Sequence, residues 1–203
     1  MRIIHISDTH NRHRVLHDLP AADIIVHSGD ISMEGTGKEV DDFIEWFAEL
    51  DYEHKIFIAG NHDEYLFDKK PAVIQRYLPA NCHYLCHSGV VIKGIKFWGE
   101  PIFFSDVIEG RFDQLLAQIP QDTDILISHR PPCGILDNAE NSYVCSDLLQ
   151  VVLKITPRYH LFGHIHAAYG IEKRGATTFV NAALANEHNE LVRKPFVFDF
   201  YDC

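Results

Sequence analysis

Five times along the chain, a short run of apolar, mostly β-branched residues breaks off into a small polar cluster of Asp, His or Asn. Ile3-Ile4-His5-Ile6 leads through Ser7 to Asp8-Thr9-His10, and Ile24-Ile25-Val26 leads through His27-Ser28 to Gly29-Asp30. Lys55-Ile56-Phe57-Ile58 leads to Gly60-Asn61-His62-Asp63, Asp124-Ile125-Leu126-Ile127 to Ser128-His129, and Tyr159-His160-Leu161-Phe162 to Gly163-His164-Ile165-His166. Runs this short, bounded by Gly, Ser and Asp, predict buried strands rather than helices. In open α/β sheets, functional groups gather where the carboxyl ends of strands meet loops. Five such strands would therefore deliver their polar residues to one small volume. Gly29, Gly60 and Gly163 fit the same picture, because glycine lets a backbone turn sharply and approach other segments closely.

Between the strands lie amphipathic stretches. Residues 39–50 set Val40, Phe43, Phe47 and Leu50 at helical spacing with acids opposite, which predicts a helix with one apolar face. Residues 110–119 and 146–155 read similarly. Val90 to Trp98 resembles two strands around a Lys93-Gly94 turn, a β-hairpin, and further strands are expected at 177–180 and 196–200. Alternating strands and helices indicate an α/β protein. The expected fold is two mixed β-sheets packed face to face with helices on both outer faces, a four-layer αββα sandwich. With 203 residues, no linker-like stretch and no internal repeat, residues 1–203 are expected to form a single domain.

Composition narrows the function. The hydrophobic share of 46% and charged share of 23% are those of a globular chain and exclude long disorder. No apolar run reaches the roughly 20 residues that cross a bilayer, and Met1 to Asp8 reads as a first strand, not a signal peptide; a cytoplasmic location without membrane partners is expected. The net charge of −11 disfavours duplex nucleic acid, whose phosphates an acidic surface repels. Cys82, Cys86, Cys133, Cys145 and Cys203 lack paired zinc-type spacing and read as inert thiols.

Each motif alone is weak: an isolated Gly-Asp is usually a turn, and a lone histidine is usually structural. Together, and all at strand ends, they supply two Asp (Asp8, Asp30), four His (His10, His129, His164, His166) and one Asn (Asn61). Seven side chains are too many for one ion but suit two if a carboxylate bridges them. Carboxylate with imidazole favours manganese, iron, zinc or nickel, and the absence of thiolates from the motifs argues against a structural zinc cluster. Paired ions about 3.5–4 Å apart can clamp the attacking and leaving oxygens of a phosphoryl displacement.

The same set, Asp8-x-His10, Gly29-Asp30, Gly60-Asn61-His62-Asp63, His129 and Gly163-His164-x-His166, resembles the full motif series of calcineurin-like metallophosphoesterases. Ser128-His129-Arg130-Pro131-Pro132, His160 to His166, Phe179 to Ala183 and Lys194 to Asp199 resemble the small metallophosphoesterase-domain-containing proteins of animals and their bacterial relatives. The resemblance implies a β-sandwich flanked by helices. It further implies that Asp8, His10 and His166 hold one divalent ion, that Asn61, His129 and His164 hold a second, and that Asp30 bridges them. Manganese ranks first. His62 would face the leaving group as a catalytic acid, with Asp63 orienting its ring. Arg130 departs from the family pattern, which often has Gly there; from its place beside His129 it is expected to reach the substrate, as are Asn11 and Asn181 from theirs.

The function so implied is phosphate-ester hydrolysis by a metal-bridging hydroxide. The substrate would be small and nucleotide-like, with cyclic-nucleotide diesters ahead of phosphomonoesters such as nucleotides or phosphoproteins. A non-catalytic binding scaffold on the same fold is the third reading. Oligomeric state leaves no mark on the sequence.

Overall fold

The computed structural model describes residues 1–67, 69–101, 103–137 and 146–201. Two sheets form its centre. The first has the order β11-β1-β2-β3-β4, from β1 (Arg2–Ile6), β2 (Ile24–His27), β3 (His54–Phe57), β4 (Cys82–Tyr84) and β11 (Phe196–Asp199). The second has the order β5-β6-β7-β8-β10-β9, from β5 (Ser88–Ile92), β6 (Ile95–Glu100), β7 (Ile125–Ser128), β8 (Tyr159–Phe162), β9 (Gly170–Arg174) and β10 (Thr177–Asn181). The motif-bearing strands β1, β2 and β3 are parallel neighbours, with Ile6 opposite His27 and His27 opposite Phe57. β7 and β8 are likewise parallel neighbours. Their carboxyl ends therefore share one edge of each sheet.

Burial on both faces explains why these strands are almost wholly apolar. Ile3, Ile24, Val26 and Ile56 of the first sheet meet Phe97, Ile125, Ile127, Leu161 and Val180 of the second in the layer between the sheets. One residue along, Ile4, Ile25 and Phe57 point outward and pack under α1 (Gly37–Glu49) through Val40, Phe43 and Phe47. On the far side Leu126, Phe162 and Phe179 receive α5 (Phe112–Leu116) and α6 (Ser146–Ile155). Three apolar layers separate four layers of structure, as the sequence predicts.

Short elements complete the chain: α2 (Glu64–Phe67), α3 (Pro71–Gln75) and α4 (Phe104–Ile108). The expected hairpin is present, with Lys93 at φ 50° and Gly94 at φ 84°, the two left-handed residues that a tight hairpin turn requires. The helix expected over 110–119 is shorter, ending at Leu116. β4 and β9 had no counterpart in the sequence reading. Both are short or exposed sheet-edge strands with no continuous apolar run. Cys82 is buried and Cys86 and Cys133 are half-buried, all three as free thiols; Cys145 and Cys203 lie outside the described residues. Among the described residues no helix is long and apolar enough to cross a membrane.

Candidate metal centre

All five motifs meet at the shared edge. Asp8, His10 and His166 form one group whose ligand atoms lie within 4.8 Å of one another; Asp30, His129 and His164 form a second, and His10, Asp30 and His62 a third. Asn61 joins the second group, its Oδ1 lying 3.0 Å from His129 Nε2. Asp30 belongs to two groups through different oxygens, with Oδ2 3.8 Å from His10 and Oδ1 3.3 Å from His129. Both outer groups draw members from both sheets.

The loops that make this possible are backbone-constrained. Asp8, His10, Asp30 and His164 all have positive φ, between 42° and 67°, a region costly for residues with a Cβ. Cross-strand bonds hold them there: Asp8 N–H to Gly29 O and His10 N–H to Asp30 O, both 3.0 Å. Two glycines grant the final approach. A Cβ on Gly60 would overlap Asp30 Oδ1 and its backbone nitrogen, and one on Gly163 would overlap Asp8 Oδ2 and Ser7 Oγ.

Tautomers follow from the carbonyls around the cage, because a carbonyl only accepts. His129 Nδ1 donates to Ser28 O at 2.9 Å and His166 Nδ1 donates to Asn186 O at 2.8 Å. Each ring thus presents Nε2 inward, the arrangement that ligating imidazoles use. His166 Nε2 stands 3.2 Å from His10 Nε2. Two nitrogens each about 2.1 Å from a shared ion stand about 3.0–3.4 Å apart, so the spacing fits a common cation. The donor set of carboxylate, imidazole and one amide suits a first-row divalent ion.

Charge is balanced internally. Burial alone would raise the Asp8 carboxyl, but the hydrogen bond from His166 and the charge of His129 hold it well below the ordinary range. Burial likewise opposes ionisation of Asp30, and His129 outweighs it, leaving Asp30 at about 2. His129 in turn is pushed up to about 9, Asp30 overcoming the cost of burial. His164 is lowered to about 3 by burial, then by His129, with Arg130 adding to the effect. Arg130 therefore stands within electrostatic reach of a cage residue.

Two sequence expectations need correction. Asp63 does not orient the His62 ring. Its carboxylate is fully buried and accepts from Gly60 N–H at 2.7 Å, Ser32 Oγ at 2.6 Å and Ser32 N–H at 2.9 Å, so it braces the two loops. The His62 ring is held by Met33 O, 2.8 Å from Nδ1. Asn181 does not face substrate either. It is fully buried, and its amide donates to Ile165 O at 2.9 Å and accepts from Ala183 N–H at 3.1 Å, clipping the loop that carries His164 and His166. Asn11, by contrast, is exposed beside His10.

Sequence reasoning passed over three buried histidines beneath the cage. His5 Nε2 pairs with Ser28 Oγ at 2.8 Å, His160 Nε2 with Ser128 Oγ at 2.8 Å, and His27 Nε2 with Thr9 Oγ1 at 2.9 Å. His27 Nδ1 also accepts from Gly29 N–H at 3.3 Å, so Nε2 carries the proton and donates to Thr9. Burial lowers each of the three to about 3. They are neutral struts joining a strand to the loop of a neighbouring motif. A signal was available for two of them: His5 and His160 each stand inside an otherwise apolar run, whereas His27 closes one.

The fold and this cage define a metallophosphoesterase. Residues 1–168 match the model of the calcineurin-like phosphoesterase family, and the chain belongs to that family: it is a metal-dependent phosphoester hydrolase. Over 98% of its length it is 35% identical to human metallophosphoesterase domain-containing protein 1, covering 70% of that protein. It is 34% identical to a UPF0046 protein of Caenorhabditis elegans, covering 98% of this chain and 74% of the relative. Among solved structures, GAP50, the anchor in the inner membrane complex of Plasmodium, shares the fold with a TM-score of 0.55 at 10% identity, over 91% of this chain and 71% of that one. Another solved chain reaches a TM-score of 0.65 at 15% identity, with 90% of each chain covered.

Proposed function

We propose that the chain is a two-metal phosphodiesterase acting on small, nucleotide-like esters, cyclic nucleotides first among them, with manganese as the preferred ion. The observation that carries this reading is Asp30, whose two oxygens face separate His groups, as a carboxylate shared by two ions must. Asp8, His10 and His166 would hold one ion and Asn61, His129 and His164 the other. Bound divalent ions supply Lewis acidity and a nucleophile at neutral pH. The chain's own residues do the rest. With Nδ1 bonded to the carbonyls of Ser28 and Asn186, His129 and His166 would each give up the Nε2 proton on taking up an ion and present that nitrogen as the ligand. Met33 O holds the proton on His62 Nδ1, so His62, as the imidazolium, donates from Nε2 to the departing oxygen and is left as the neutral Nδ1–H form. Arg130 and Asn11 flank the cage as candidate substrate contacts.

Purified protein should carry divalent ions, lose turnover on chelation and regain it with manganese. It should hydrolyse bis(4-nitrophenyl) phosphate and cyclic nucleotides faster than 4-nitrophenyl phosphate. Monoester turnover without diester turnover overturns the substrate assignment, and activity indifferent to chelation overturns the mechanism.

A further inference from the structure

The geometry points to a subsite for the organic half of the substrate, shaped for a flat heterocyclic ring, in the cleft between residues 11–15 and 190–192. The inference rests on the phosphoesterase reading and adds where the rest of the ester lies. The cleft has a volume of about 490 Å³, within the range of pockets that take small organic ligands. Asn11, Arg12 and Val15 form one wall and Glu190, Leu191 and Val192 the other.

Both walls are built on the metal centre. Asn11 follows His10 directly, and its N–H bonds to Ile31 O at 2.9 Å, one residue beyond Asp30. On the opposite side, Asn186 O holds His166 through Nδ1, while Asn186 Oδ1 accepts from the N–H groups of His188 and Glu190, both at 2.9 Å. In the same turn, Asn189 Nδ2 contacts Met33 Sδ at 3.7 Å, and Met33 is the residue whose carbonyl carries the His62 ring. The two walls thus continue the loops that carry His10 and brace His62 and His166, and the proposed subsite would take the departing group on that side of the cage.

The lining suits a ring with apolar faces and a polar edge. Val15 and Val192 are each 61% exposed, and they give the two walls apolar surface. The Asn11 amide both donates and accepts at the rim. Arg14 also lines the cleft, but Asp42 at 2.8 Å and Glu45 at 2.9 Å occupy its guanidinium. Arg12 is exposed and makes no ion pair among the described residues, which leaves its charge for an anionic or hydrogen-bonding group of the ligand. An acyl chain would need a closed apolar tunnel, and a bare sugar would leave the valines uncovered.

Calorimetric binding of adenosine 5′-monophosphate and of inorganic phosphate to the manganese-loaded full chain tests this. In the wild type the nucleotide should bind about tenfold more tightly than phosphate, the difference being the ring's contribution. In Val15→Asp and Val192→Asp that preference should fall toward one, and in Arg12→Ala it should fall in part. Both valines are solvent-facing, so the charged replacements leave folding intact, as metal content and circular dichroism will verify. A wild-type preference of one, or an unchanged preference in all three variants, overturns the subsite and leaves the phosphoesterase reading standing. If phosphate does not bind, that reading falls instead. Adenosine then decides the subsite: binding that Val192→Asp weakens supports it, and no binding overturns it.

Discussion

At the scale of single residues the cage leaves almost no slack. Gly60 and Gly163 stand where any side chain would collide with a carboxylate of the centre. Gly60→Ala should therefore cost more than the ordinary penalty for a crowded core, about 1–3 kcal/mol, and should release divalent ions. Metal analysis beside thermal unfolding checks both, and a variant with full metal content would contradict the described approach of Asp30. His62 is a different case, since its ring is held by Met33 rather than by the fold's core. His62→Ala should keep its metal and lose about 10²- to 10⁴-fold in turnover on esters with poor leaving groups, with a much smaller loss on nitrophenyl esters. Equal losses on both would remove the proton-donor role. The residues meeting at the centre were legible in the sequence because Asp, His and Asn recur at strand ends, where an apolar environment tolerates them only for a reason. The directions of Asp63 and Asn181 were not. Identity and spacing say that a polar side chain is present, but not whether backbone amides have already claimed it.

At the scale of elements, α1 shows local chemistry and tertiary packing in agreement. Thr36 caps it in a reciprocal box: its hydroxyl accepts from Glu39 N–H at 3.3 Å, and Glu39 Oε2 accepts from Thr36 N–H at 3.0 Å. Thr36→Ala should cost about 1 kcal/mol as read by denaturant melts, with metal content and turnover unchanged. Loss of metal would mean that the loop after Asp30 depends on this cap. The helix itself was readable from its 3.6-residue period, whereas β4, α2, α3 and α4 were not, being three to five residues long and too short to show any period. The strut histidines lie between these cases. In the strands they interrupt or close the apolar pattern, yet only the pairing of Ser28, Ser128 and Thr9 across strands reveals their purpose.

At the scale of the molecule, those three imidazoles contribute to how the fold responds to acid, in the same direction as His164, which burial also lowers to about 3. His5, His27 and His160 stay neutral in the folded protein until about pH 3, against an ordinary histidine value of 6.5. Between those values the unfolded chain binds protons that the folded one refuses, so stability rises with pH. The contribution is complete above about pH 6.5 and drains away as pH falls toward 3. Urea midpoints of the metal-free protein should drop between pH 7 and pH 5, and replacing His160 by Gln should flatten that slope. A midpoint indifferent to pH in this range would mean that the rings are not shielded as described.

The two sheets are held face to face by greasy side chains, which resist separation well but sliding poorly. Asp8 and His10 come from one sheet and His166 from the other; Asp30 comes from the first, His129 and His164 from the second. An ion seated in either group is therefore a rivet through both plates, fixing their lateral offset. Trimming the filling between them, for instance Ile125→Val or Ile3→Val, would let the plates drift and loosen the grip on the ion. Conversely, the ion's affinity becomes a gauge of how well the interior is packed.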